Sequence, residues 1–130
     1  MNLTITALYA SLLALVFLAL SFNIIKLRRK HLVGLGDGGE HKLTKAIRMH
    51  GNFSEYVPLV LILLASYELS GANAIWLHIL GGTLTIGRVL HAIGISKSIG
   101  TSMPRVVGMI ATFIVLLILA IENIRVFIVA

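Results

Sequence analysis

The sequence predicts an all-α fold, an integral membrane bundle of four helices, and three features carry that reading. The 130 residues are 58% hydrophobic and only 12% charged, with a mean hydropathy of +0.98, which is far more apolar than a soluble domain tolerates on its surface. Long apolar runs alternate with short polar turns, leaving room for about four spans and no second domain. Seven Lys and Arg residues are gathered between Lys26 and Arg48. A basic cluster between apolar segments fits lipid head groups and membrane orientation, so the net charge of +6 is not read as a nucleic-acid footprint. Cysteine is absent, so any thiol chemistry must use a thiol carried in by a ligand.

The four helices are expected at about 3–25, 42–69, 74–95 and 104–125 within a single domain spanning 1–130. Leu3 to Ile25 is uncharged over twenty-three residues, long enough to span with some tilt. No basic segment precedes it, so it reads as a retained helix and not a cleaved signal. After the basic run Lys26 to His31, Gly34-Leu35-Gly36-Asp37-Gly38-Gly39 spells something close to a dinucleotide motif. No strand of a βαβ unit precedes it, and it reads as a flexible turn. The second helix should bend at Pro58. A turn at Ser70 to Asn73 leads to the third helix, and a polar turn from Gly94 to Met103 leads to the fourth, where Pro104 suits the first position. By the distribution of Lys and Arg, both basic loops face the cytoplasm and both chain ends the opposite side.

Residues 48 to 58, Arg-Met-His-Gly-Asn-Phe-Ser-Glu-Tyr-Val-Pro, organise the rest. The apolar run from Tyr56 to Tyr67 covers about 18 Å as a helix, against a hydrocarbon core of about 30 Å. The helix must therefore draw Arg48, Asn52 and Glu55 into the membrane, and their i, i+4, i+7 spacing puts them on one stripe with Tyr56 at its shoulder. Cation, amide and carboxylate aligned within a bilayer make a functional site the default hypothesis. The competing reading is a shallower helix, with Arg48 snorkelling to the head groups and Glu55 paired to a neighbouring helix.

Glu55 and Arg88 are each expected about 10 Å from the same boundary, which suggests an ion pair. His91 lies one turn nearer the boundary than Arg88, and Arg105 opens the fourth helix on that side. The set is net positive. One Glu55–Arg88 pair would leave Arg48 and Arg105 without anions, so the group asks for an anionic ligand whose carboxylates arginine can grip. A metal site is not expected, because only His91 and Glu55 offer ligands on converging faces. His78 reads as a satisfied interfacial residue, Glu122 and Arg125 as a surface pair, and Tyr67 and Trp76 as outer aromatic anchors. Gly81, Gly82, Gly87 and Gly108 permit close helix packing.

The spacing Arg48-x-x-x-Asn52-x-Ser54-Glu55-Tyr56-x-Pro58 resembles the second-helix signature of the MAPEG family, the membrane-associated proteins of eicosanoid and glutathione metabolism. Gly87-Arg88-Val89-Leu90-His91 is similar to a third-helix motif of the prostaglandin-forming members, and Pro104-Arg105 falls where the family places a thiol-activating arginine. The resemblance implies a homotrimer in the membrane lipid, binding glutathione as co-substrate between subunits and a lipophilic small-molecule electrophile from the bilayer. Arg48, Asn52, Glu55, Tyr56 and His91 would hold glutathione, Arg88 would bind or brace, Arg105 would favour the thiolate, and Arg28 would reach in from the first helix. Ile95 stands where several glutathione-using members have tyrosine, and Met109 replaces another aromatic. The implied function is a glutathione-dependent transferase or peroxidase in a bacterial inner membrane; the alternative is a non-catalytic ligand-binding scaffold of the same family. A small four-helix drug exporter is disfavoured, since those proteins resemble one another in a first-helix carboxylate that Leu3 to Ile25 lacks.

Overall fold

Four helices make up the chain in the computed structural model, which describes residues 2–97 and 102–130, the side chains of 95–97 excepted. They are α1 (Thr4–His31), α2 (His41–Leu69), α3 (Ala74–Lys97) and α4 (Met103–Val129), and no strand occurs among the described residues. The centre of the second polar turn and the Ile95 side chain fall outside the described residues. Each of α2 and α3 packs against both α1 and α4, and the two also touch each other; α1 and α4 make no mutual contact among those residues. The helices long and apolar enough to span a membrane by length and composition are α1 and α4, at opposite corners of the bundle.

The first helix runs about two turns past Ile25, because its basic run is the last turn of the helix and not its end. Lys and Arg are good helix formers, and cations at a helix C-terminus complement its dipole. Leu32 ends it in the left-handed conformation (φ 57°), and the Val33 amide donates to the Arg28 carbonyl at 3.1 Å. Beyond it, Asp37 ties the loop to α2: its carboxylate accepts from the Gly39 amide at 3.0 Å and the Thr44 hydroxyl at 2.8 Å. These bonds hold the Asp37 carboxyl below its ordinary pKa, the Gly39 amide contributing most. At the next position Gly38 is required, since φ is 58° and a Cβ would sit 2.7 Å from Val33 Cγ2.

Along α2 one side is core, with Leu43, Ala46, Met49, Phe53, Val57, Val60, Leu64 and Tyr67 buried at steps of three or four residues. The helix continues through Pro58. Leu13, Leu77, Leu80, Leu84, Val115 and Leu119 complete the main cluster, and Leu27, Leu43, Ala46 and Met49 form a smaller one toward the basic loop. Outward faces are apolar as well: Leu15, Leu18 and Phe22 on α1, and Leu117, Ile124 and Phe127 on α4, are exposed. Apolar side chains inside and out are the pattern of a bundle solvated by lipid.

Polar pairs close the end away from the basic loop. The Thr6 and Ile5 amides at the start of α1 donate to the Glu68 carboxylate at 2.8 and 3.0 Å. Glu68 thus caps a helix whose own first turn has no acid and no side-chain cap. The Tyr9 hydroxyl and His78 Nδ1 lie 2.8 Å apart, satisfying His78 as expected. Tyr67 is not an aromatic anchor in the lipid interface. It is buried, and its hydroxyl donates to Glu122 at 2.9 Å, because its step along α2 puts it on the core face. Glu122 also accepts from Arg125 at 2.6 Å.

In lipid the hydrophobic effect does not press helices together, so close contact relies on small residues. Gly108 and Gly87 supply it between α3 and α4: a Cβ on Gly108 would collide with the Gly87 carbonyl oxygen and sit 2.7 Å from the His91 nitrogen. Gly81 instead gives way to the Tyr9 ring, and Gly82 meets nothing within 4 Å. Gly108→Ala should therefore lower thermal stability in detergent by about 1–3 kcal/mol through overpacking. Gly82→Ala should be neutral or stabilise by up to about 1 kcal/mol through helix propensity. Equal melting temperatures for the two variants would contradict this packing.

Candidate functional site

Arg88 is the largest fully buried side chain among the described residues, 2% exposed. Its position follows from the α3–α4 crossing, where Gly87 and Gly108 bring the backbones together and turn the next residue toward α2. There its Nη2 donates to Asn52 Oδ1 at 2.7 Å, its guanidinium lies 5.8 Å from the centre of the Phe53 ring, and Nη1 approaches Met109 Sδ at 3.7 Å. Its Nε is buried with no acceptor among the described residues. All of these partners are neutral.

None of the five carboxylates of the chain pairs with Arg88. Asp37 serves the loop, Glu40 lies 3.6 Å from His31, Glu68 caps α1 and Glu122 takes Arg125. The expected Glu55–Arg88 pair does not form. Glu55 instead lies 3.6 Å from Arg48, with both side chains more than half exposed on the single chain. The reason is angular: Arg48 and Glu55 are seven residues apart and share the outward edge of α2, whereas Asn52 is rotated from both toward α3. Equal depth was not enough to bring Glu55 to Arg88.

The pair at the outward edge spans Gly51, where a Cβ would come within 3.4 Å of Arg48 Nη1 and 4.0 Å of Glu55 Oε1. His91 is buried one turn from Arg88, and Arg48, Arg88 and Arg105 all lie within electrostatic reach of its ring. Arg105 reaches that position because α4 begins against Gly94, whose added Cβ would sit 2.5 Å from the Arg105 nitrogen. Tyr56 is half-buried, edge-on to Phe113 of α4 at 5.5 Å, and within electrostatic reach of Arg88. The structure therefore gathers Arg48, Asn52, Tyr56, Arg88, His91 and Arg105 in one region, with Glu55 on its rim. Arg28 does not join them in the single chain; it donates to the carbonyls of Val33 at 3.3 Å and Gly36 at 2.8 Å. Phe53, Gly51 and Gly94 were not picked out from the sequence. The seven-residue step from Gly87 to Gly94 was the available signal for the last, since it sets both glycines on one face.

A model of the MAPEG family matches residues 6–125. The chain belongs to the MAPEG family. It is similar to Inner membrane protein YecN of Escherichia coli strain K12, 39% identical over 119 residues that cover 92% of this chain and 89% of the relative. The protein of that name from Escherichia coli O6:H1, strain CFT073, matches equally well, at 39% identity over the same length. As a MAPEG member with four helices, two of them charge-poor and of spanning length, the chain is an integral membrane protein.

The geometry supports a double-mutant test. Asn52→Ala removes the one oxygen among the described residues that accepts from the buried Arg88 and should cost about 1.5–3 kcal/mol in detergent unfolding. Adding Arg88→Met should recover most of that loss, because removing both partners leaves no charge stranded. Additive losses would show that the two do not depend on each other.

Proposed function

We propose that this MAPEG protein is a glutathione-dependent transferase or peroxidase acting on lipophilic electrophiles, with glutathione held between the subunits of a homotrimer. The observation that carries the reading is the buried Arg88 cation, which among the described residues has neutral partners only and an Nε without an acceptor. An uncompensated charge in a membrane costs several kcal/mol, which a ligand carboxylate would offset. Arginine is suited to that contact through its planar fork of donors. Glutathione offers two carboxylates and an ammonium, a complement to a site with several arginines and one carboxylate. Arg48 and Arg88 suit the carboxylates, Glu55 the ammonium, and Asn52, Tyr56 and His91 supply polar contacts; Arg28 would join from the end of α1.

The trimer is supported by the outward edge of α2. Arg48 and Glu55 are 56% and 55% exposed on the single chain, on a helix face opposite the core. Facing hydrocarbon, that pair would be costly, and a neighbouring subunit covering it would both shelter the charges and close the site. The name of the relative places that protein in an inner membrane, and we assign this chain the same location with its basic loops facing the cytoplasm.

Arg105 stands in the first turn of α4, where the helix dipole adds partial positive charge. A thiol with a pKa near about 8.5 is mostly protonated at neutral pH, and a guanidinium beside the sulfur favours the nucleophilic anion. The thiolate would attack the electrophilic centre and expel its leaving group, or attack the terminal oxygen of a hydroperoxide, breaking the O–O bond to give a glutathione sulfenic acid and an alkoxide that takes a proton from water; a second glutathione would then form the disulfide and release water. Arg105→Ala should then lower conjugation of a generic electrophile by about a hundredfold, the scale of losing one anion-stabilising donor. Glutathione affinity should change far less, since the carboxylate and ammonium contacts remain. Equal ultraviolet thiolate absorbance in wild type and Arg105→Ala at saturating glutathione would remove Arg105 from the chemistry and favour a non-catalytic scaffold.

A further inference from the structure

We propose that the cleft between the last turns of α1 and the first turns of α2 binds the phosphate head group of an anionic phospholipid. The cleft has a volume of about 300 Å³ and is lined, among the described residues, by Asn23, Lys26, Leu27, Lys30, Lys42, Lys45 and Met49. On α1 the contributing positions step i, i+3, i+4, i+7, and on α2 they step i, i+3, i+7, so each helix presents one continuous face to the gap. Four lysines line it. None has a carboxylate partner, because the ion pairs of the described residues use only Glu40, Glu55 and Glu122.

The placement of Lys42 and Lys45 is unfavourable for the fold alone. They sit in the first turns of α2, where the helix dipole disfavours cations, and that helix has no acid in its first turn and no side-chain cap. Lys26 and Lys30 add like charge one turn apart. An anion in the cleft would relieve this crowding of like charge, which Glu40 at the start of α2 and Asp37 bonded to Thr44 offset only outside the cleft lining. A phosphate fits the volume and the charge.

A lipid is the source favoured over a free phosphate because of where the cleft lies. The uncharged run of α1 ends at Ile25, so Lys26 marks the edge of the hydrocarbon. Buried Leu27 and Met49 give the cleft an apolar floor at that edge. This site is separate from the one around Arg88, and glutathione binding should not depend on it.

The test uses the full-length protein in mild detergent, with lipid retention read by native mass spectrometry. Wild type should retain phosphatidylglycerol over phosphatidylcholine, and Lys30→Gln and Lys45→Gln should each weaken retention about fivefold, the scale of one lysine near an anionic head group. Arg29→Gln removes the same charge from an exposed neighbour outside the cleft and should change it less than about twofold. Equal losses in Arg29→Gln and Lys45→Gln, or equal retention of the two lipids by wild type, would overturn the proposal. Thermal protection by soluble glycerol phosphate as strong as that by phosphatidylglycerol would assign the cleft to a free solute and overturn the lipid reading. The comparison of lipids on wild type decides the matter even where a lysine variant fails to fold.

Discussion

A guanidinium sealed inside the bundle without a carboxylate is the constraint from which the rest of the site follows. Arg88 could have been neutralised within the chain, since Glu55 is available at the same depth. The helix geometry of α2 instead turns Glu55 outward to Arg48 and leaves Asn52 as the acceptor. An amide oxygen and an aromatic face stabilise a cation only in part, and the charge remains for something else to balance. The same geometry sends the Arg48–Glu55 pair to the surface, where the single chain leaves it open. The charge inside has neutral partners among the described residues, and the ion pair outside is open on the single chain.

Glycine contacts give this arrangement its rigidity. Gly87 and Gly108 bring α3 and α4 to backbone contact, and Gly94 seats the first turn of α4 beside the same face of α3. With the two helices locked, His91 and Arg105 have little freedom to drift from Arg88, which is what a site for a charged ligand needs. The opposite end is held by a different device: Glu68 caps α1, and Glu122 receives Tyr67 and Arg125. Those carboxylates lie at the far end of the bundle from Arg88, and Glu55, the one near it in sequence register, is turned to Arg48.

Four helices, a membrane setting and the family could all be read from the sequence, because length of apolar run and the spacing of Arg48, Asn52, Glu55 and Tyr56 are local properties. The extension of α1 through Lys26 to His31 was less legible, since a basic run marks the edge of hydrocarbon and not the end of a helix. Tyr67 was misplaced for a related reason. Its interfacial depth was clear, but the face it occupies depends on counting the core stripe back along α2. The Glu55–Arg88 pairing failed because depth along two helices is one coordinate, while the rotation of each helix decides who meets. On α2 the buried stripe turns Glu55 outward, and on α3 the close contact of Gly87 with Gly108, distant in sequence, fixes where Arg88 points.

The central claim is that the buried Arg88 charge is completed by glutathione. Calorimetric titration of glutathione into the purified protein in detergent, beside Asn52→Ala/Arg88→Met as a variant that strands no charge, tests it most directly. Saturable binding to wild type, weakened about a hundredfold or more in the double variant, is the result expected for losing a buried charged contact. Undiminished affinity in a folded double variant, or no saturable heat with wild type, would contradict it.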